Sequence, residues 1–244
     1  MSAIATMNLV KKYKNKTAVD SLNLTVEEGE LFALLGVNGA GKTTTIKMLS
    51  GLSKPTSGDA VLLGDSIISG TQAVKQKINV SPQETAVAPN LSVRENLDLI
   101  SRIYGSHRQQ ASAKTDEMLS TFGLKEIASD KAKTLSGGMQ RRLSIAMALI
   151  SNPQILFLDE PTLGLDVLAR RELWAAIEKL KGKMTIILTT HYMEEAEALS
   201  DRIGIMSNGR MTAVGTAAQL MGKTGTAKFE DAFVALATGT EAIR

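Results

Sequence analysis

The chain has 244 residues, 43% hydrophobic and 22% charged, with a formal net charge of +3 and no cysteine. That length can bury the core of one large α/β domain, or of a core with a subdomain. Disulfides and cysteine-ligated metal sites are excluded, the small charge surplus makes no case for nucleic acid, and no apolar run approaches the roughly 18 residues of a membrane span.

Residues Ala3–Val10 and Leu22–Val26 alternate apolar and polar side chains, as strands with one wet face do. Tyr13 and the lysines Lys11, Lys12, Lys14 and Lys16 lie between them. Met1–Val10 lacks a long apolar leader core, so a cytoplasmic location is expected. Glu27-Glu28-Gly29-Glu30 turns the chain into a third strand, Leu31–Leu35. There follows Gly36-Val37-Asn38-Gly39-Ala40-Gly41-Lys42-Thr43-Thr44, then a helical pattern. Gly36, Gly41, Lys42 and Thr43 match G-x-x-x-x-G-K-[ST], the phosphate-binding P-loop, in its required strand–loop–helix setting. Glycines let the backbone curl so that the N–H groups of Gly36, Asn38, Gly39, Ala40, Gly41 and Thr44 can cradle a polyphosphate at a helix N-terminus. Lys42 supplies charge for the β- and γ-phosphates, and the Thr43 hydroxyl suits Mg²⁺.

Leu52–Gly58, with Pro55, reads as a loop, and Asp59–Leu63 and Ile78–Ser81 as strands. Ser92-Val93-Arg94-Glu95 is a capping box, after which Val93, Leu97, Ile100 and Tyr104 fall at helical spacing. A second helix is expected over Ala111–Phe122, with Met118, Leu119 and Phe122 inward. His107 lies in the polar linker between the two, where a solvated role is expected. A helix over Gly137–Ser151 ends at Asn152-Pro153. The apolar run Ile155–Leu158 has the look of a buried parallel strand. Asp166 can cap a helix whose Leu173, Ile177 and Leu180 form one face, with Trp174 packed beside it. Met184–Thr190 is another buried strand and Tyr192–Leu199 another helix. Asn208-Gly209 joins Ile203–Met206 to Met211–Val214 in a hairpin, and a small amphipathic helix carries Phe229, Phe233 and Leu236.

Two further stretches carry chemistry. Asp159 and Glu160 end the strand Ile155–Leu158. A P-loop ATPase needs a carboxylate to hold Mg²⁺ through its water shell, which suits Asp159, and a general base for the attacking water, which suits Glu160. Upstream stands Leu135-Ser136-Gly137-Gly138-Met139-Gln140, a serine and two glycines opening a helix.

That L-S-G-G-x-Q, placed between a P-loop and an Asp-Glu strand end, resembles the signature of the ATP-binding cassette (ABC) ATPases. The resemblance runs in order from Tyr13 to the hairpin. It implies a P-loop NTPase (RecA-like) α/β core with a small antiparallel β subdomain over residues 1–89 and 136–214. An inserted helical subdomain would cover 90–135 and a short helical tail 215–244. It also implies roles for further residues. Tyr13 would stack on adenine. Gln83 would touch Mg²⁺ or the attacking water, Asp166 would cross a dimer interface, and His191 would contact the γ-phosphate. The departures are small: Met139 stands where glutamine is common, and Val167 where proline is frequent.

In that family the P-loop of one subunit faces Ser136, Gly137 and Gly138 of another. A head-to-tail dimer with a second copy or a paralogue, enclosing ATP and Mg²⁺, is therefore implied. So is a separate multi-span membrane permease that would hold the chain at the cytoplasmic face of the membrane. The text Asn90–Leu97 and the ending Phe229–Leu236 resemble the drug, antibiotic and sodium exporter class. A soluble ABC ATPase remodelling a macromolecular complex is the alternative. No N-K-x-D motif supports a small GTPase, and a kinase would explain neither Ser136–Gln140 nor His191.

Overall fold

Helix-bearing loops bury both faces of a short parallel sheet, and that sheet decides where the loop after Leu35 sits. The structure is a computed structural model that describes residues 1–239. Strands β1 (Ser2–Tyr13) and β2 (Lys16–Glu27) form a hairpin, and β3 (Leu31–Leu35) leads into helix α1 (Lys42–Leu49). Then come β4 (Ser57–Leu62), β5 (Asp65–Ser66), α2 (Thr71–Lys77) and β6 (Ile78–Ser81). Helices α3 (Val93–Ile103), α4 (Arg108–Thr121) and α5 (Gly137–Leu149) precede β7 (Ile155–Asp159) and α6 (Val167–Glu178). Last are β8 (Thr185–Thr190), α7 (Met193–Leu199), the hairpin β9 (Arg202–Ser207) and β10 (Arg210–Gly215), α8 (Ala217–Thr224) and α9 (Phe229–Thr238). Positions 240–244 of the expected tail lie outside the described residues.

One sheet is antiparallel, in the order β2-β1-β4-β5; the other runs β10-β9-β3-β8-β7-β6. In the second, only the β9–β10 pairing is antiparallel. All five residues of β3 and of β7, and all six of β8, are buried. In β7 and β8 the apolar side chains alternate between two cores, and β3 reaches a third through Ala33 and Leu35. Phe32, Leu34, Ile155, Phe157 and Ile187 face α1 and the antiparallel sheet, where Ile46, Met48, Leu9 and Leu22 join them. Leu31, Leu156, Leu158, Ile186 and Leu188 face the other way, onto Leu143, Ile145 and Leu149 of α5 and Leu173 and Ile177 of α6. Period-2 strands with both faces covered read as continuous apolar runs, as these do. A third cluster sets Phe229 and Phe233 of α9 and Leu220 of α8 against Ile203 and Ile205 of β9. Among the described residues no helix is long and apolar enough to cross a membrane.

The capping box at Ser92 is present in full, with Glu95 N donating to Ser92 Oγ and Ser92 N to the Glu95 carboxylate. Inside the same helix Asn96 is fully buried. Its amide donates to the carbonyls of Ala88 and Ser92 and accepts from Ala88 N, so it ties the loop after Gln83 to α3. Asn96→Ala is expected to cost about 2–3 kcal/mol, because several buried polar groups lose their partner at once. A urea unfolding midpoint that falls at constant slope would register it.

Several boundaries differ from those read in the sequence. Lys11, Lys12 and Tyr13 belong to β1, and the turn narrows to Lys14-Asn15, with Lys14 at φ 46. Lysine stems tolerate a strand whose outer side is wet. His107 is exposed, as expected, but it is the N-cap of α4, its carbonyl accepting from Ala111 N. Tyr104 is an exposed C-cap, not a core position. Helices α2 and α8 bury only Val74 and Leu220 respectively, so they leave no 3.6-residue apolar signal to read.

Candidate functional site

The site lies at the carboxyl edge of the parallel strands, where open α/β sheets place their ligand crevice. Strand order alone aligns its parts. In register, Leu35 pairs with Thr190, Asp159 with Thr189, and Ser81 with Leu158. Four segments therefore leave the sheet side by side: the loop after Leu35, His191, Glu160 and the loop carrying Gln83.

Two glycines of the first loop, Gly36 and Gly41, are there for space. A Cβ on Gly36 would stand 2.4 Å from the Met206 carbonyl oxygen, and one on Gly41 would stand 2.5 Å from that of Ala18. Gly41 also takes φ 109, outside the range of L side chains. The curl of this loop directs Lys42 inward. Lys42 is 4% exposed; its Nζ donates to the carbonyls of Gly36 at 2.7 Å and Val37 at 3.3 Å, and pairs with Glu160 Oε1 at 3.3 Å. Ala40 is buried at the base of the loop, Thr44 is half-buried, and Asn38 and Gly39 are exposed at its rim.

Asp159 and Glu160 are buried next to it. Thr43 Oγ1 donates to Asp159 Oδ1 at 3.1 Å, and Thr189 Oγ1 donates to the same oxygen at 2.5 Å. Glu160 has φ 46, a left-handed backbone at a non-glycine residue. Its second carboxylate oxygen lies 3.1 Å from Nδ1 of His191. Lys42, Thr43, Asp159, Glu160 and His191 thus form one contiguous constellation, drawn from two strand ends and one helix.

Gln83 has an exposed side chain, but its backbone is gripped. Arg141 of α5 is 5% exposed and donates to the carbonyls of Pro82, at 2.6 Å, and Gln83. Burial pulls the Arg141 guanidinium below its ordinary value, and the Asp159 charge opposes that shift. The remaining expected residues stand outside the constellation. Ser136 caps α5, its hydroxyl accepting from Met139 N at 3.3 Å; Ser136 and Gly137 are exposed and Gly138 is half-buried. Asp166, also exposed, caps α6 by accepting from Ala169 N at 2.9 Å. Tyr13 is 46% exposed, with the Lys11 ammonium 5.0 Å from its ring centre. Among the described residues no hydrogen bond or ion pair joins Ser136–Gly138 to Gly36–Thr44.

Sequence reasoning passed over Thr189, Arg141 and Glu195. Trp174, read as packing only, also donates from Nε1 to Glu195 Oε1 at 3.0 Å. Glu195 is fully buried, and burial pushes its carboxyl above the ordinary range against that bond. The available signal was a pair of threonines at the end of a buried strand, and an arginine or glutamate on a buried helix face.

Chemically, the site offers a buried cation, a glycine-rich loop opening a helix N-terminus and two carboxylates. The Thr43 hydroxyl and Asp159 carboxylate are hard oxygen donors 3.1 Å apart, a set that fits Mg²⁺ when phosphate and water complete the shell. Among the described residues no group of three or more His, Asp and Glu could hold a metal alone.

Comparison with known proteins agrees. A family model described as "ABC transporter" matches residues 19–163. The linearmycin resistance ATP-binding protein LnrL of Bacillus subtilis (strain 168) is 44% identical over 219 residues, 89% of this chain and 70% of that protein. Nod factor export ATP-binding protein I of Burkholderia orbicola (strain AU 1054) is 45% identical over 210 residues, 85% of this chain and 69% of that protein. Among solved structures, a dimeric post-hydrolysis state of an ATP-binding cassette bound to ADP and Pi superposes with a TM-score of 0.79 at 27% identity, covering 87% of this chain and 98% of that one. By its constellation of Lys42, Asp159 and Glu160 and by these matches, the chain belongs to the ABC transporter family, as an ATP-binding and ATP-hydrolysing subunit.

Proposed function

We propose that this ATPase drives a membrane exporter, working at the cytoplasmic face of the membrane with a separate multi-span permease. The single observation that carries the hydrolytic reading is the contact chain from Lys42 through Glu160 to His191. ATP lays its phosphates in Gly36–Thr44, with Lys42 at the β- and γ-phosphates and Tyr13 stacked on the adenine. Thr43, Asp159 and Gln83 would hold Mg²⁺, which supplies charge neutralisation at the phosphates. Glu160 accepts the proton of the attacking water, and His191 holds the γ-phosphate side of the site.

A second subunit, identical or paralogous, completes each site by bringing its Ser136, Gly137 and Gly138 onto the γ-phosphate, with Asp166 at the crossing. Support comes from the exposed, Ser-capped N-terminus of α5, whose dipole favours an anion. Further support comes from large apolar side chains left exposed beside three motifs: Val37, Met139, Leu163, Val167 and Leu168. A permease contact is supported by a groove lined by Val80, Pro82, Ala86, Ile100, Tyr104 and Met147, directly before and after Gln83. Exposed Leu99 and Ile103 extend it along α3. Outward direction is supported by the relatives named for linearmycin resistance and Nod factor export.

Affinity capture of the tagged chain from detergent-solubilised membranes tests the assignment. Recovery of a multi-span membrane protein is the expected result. A purely soluble partner set would refute it and favour a remodelling ATPase.

A further inference from the structure

We propose that Thr189 is a positioning residue that sets both carboxylates of the hydrolytic site through one hydroxyl. The inference rests on the roles given above to Asp159 and Glu160.

Thr189 is 0% exposed and is the penultimate residue of β8, which lies between β3, whose end leads into the loop before Lys42, and β7, whose end carries Asp159. Its Oγ1 donates to Asp159 Oδ1 at 2.5 Å and accepts from Glu160 N at 3.0 Å. A hydroxyl has one proton and two lone pairs. The proton is committed to Asp159, so the Glu160 N–H meets a lone pair whose direction is already set. The Thr189 carbonyl accepts from the same N–H at 3.1 Å. The Glu160 peptide is therefore clamped between two acceptors of one residue.

The clamp matters because Glu160 stands at φ 46. For a non-glycine residue this conformation is strained and persists where the surroundings over-determine it. It is also the conformation from which the Glu160 carboxylate reaches Lys42 with one oxygen and His191 with the other. Asp159 depends on the same hydroxyl. Thr43 shares Oδ1 with Thr189, but Thr43 is the residue placed to turn toward Mg²⁺. With Thr43 so engaged, Thr189 is the hydroxyl that keeps Asp159 oriented. His191 follows two residues later on the same strand end, so one segment aims three of the site's side chains. Val has nearly the same shape, so what the hydroxyl adds at this buried position is its two hydrogen bonds.

Thr189→Val tests the proposal. It keeps the β-branched shape and the main-chain bond to Glu160 N, and deletes both side-chain bonds. Nucleotide affinity in EDTA, read by displacement of a fluorescent ATP analogue, is expected to stay within about twofold of wild type, since no phosphate contact is removed. Turnover number is expected to fall about 10–100-fold, the worth of a hydrogen bond to a charged group expressed in rate. The Mg²⁺ concentration that half-saturates the Mg²⁺-dependent gain in nucleotide affinity is expected to rise about tenfold on the same reasoning. Thr189→Ser, which restores the hydroxyl, is expected to recover most of both. Where Thr189→Val does not fold, Thr189→Ala carries the same expectations.

Wild-type turnover and Mg²⁺ midpoint in Thr189→Val overturn the inference. So does an equal loss in the Ser and Val variants, which would mark a packing effect. Glu160→Gln run in parallel separates the layers. Full turnover there overturns the carboxylate reading, and this inference with it. An inactive Glu160→Gln beside a fully active Thr189→Val overturns this inference alone.

Discussion

Glu160→Gln is expected to bind ATP at least as well as the wild type while hydrolysing it about 10²–10⁴-fold more slowly, the usual worth of a general base. The geometry explains why binding survives. Glu160 is 7% exposed, with one carboxylate oxygen 3.3 Å from Lys42 Nζ and the other 3.1 Å from His191 Nδ1. A glutamine carbonyl can still accept from Lys42, and its amide can donate to the imidazole, so the side chain keeps its place. What it cannot do is take a proton from water. The substitution also removes one negative charge from a buried site at which polyphosphate arrives, and that charge competes with phosphate for Lys42. ATP should therefore hold the proposed dimer closed for longer. Single-turnover hydrolysis reads the first effect, and size-exclusion chromatography in ATP and Mg²⁺ reads the second. Unchanged turnover would show that the base is another group.

Lys42→Ala should weaken ATP binding itself, by about 10–100-fold, because a charge-assisted contact to the phosphates is lost. Lys42 is oriented by the carbonyls of Gly36 and Val37 before any phosphate contact, so little ordering entropy remains to be lost on binding. The variant has a second cost. It leaves the Glu160 carboxylate buried without its cation, a strongly destabilising change. The thermal midpoint should therefore fall along with affinity. Adding Glu160→Gln to Lys42→Ala separates the two effects. Stability should recover while ATP affinity does not, a non-additivity expected of residues in direct contact. Retained affinity in Lys42→Ala, read by equilibrium titration, would remove the lysine from the phosphate site.

What could be read in advance depended on how local each feature is. Ser92 and Glu95 are three residues apart, and both halves of their capping box formed. The buried strands announced themselves as the apolar runs Leu31–Leu35 and Ile155–Leu158, each followed at once by its chemistry. The hairpin at Asn208-Gly209 followed from residues that accept positive φ, 49° and 80°. Helices α2 and α8 stayed illegible because one buried side chain each makes no periodicity. Arg141 was invisible for a different reason. Its partners are the carbonyls of Pro82 and Gln83, 59 and 58 residues away, and a carbonyl carries no sequence signature.

The sequence by itself determined the parts: a P-loop motif at Gly36–Thr44, a carboxylate pair at Asp159-Glu160, a Ser-Gly-Gly helix start at Ser136, and the family to which they belong. Each is a run of adjacent residues whose chemistry is fixed by backbone geometry over a few bonds. Only the tertiary structure decided the assembly. The order β3-β8-β7-β6 put four strand ends in a row, and the Asp159–Thr189 register brought a threonine hydroxyl against the Asp159 carboxylate and the Glu160 N–H. Strand order and register are set by burying two apolar faces at once, a property of the packed whole that no single segment contains.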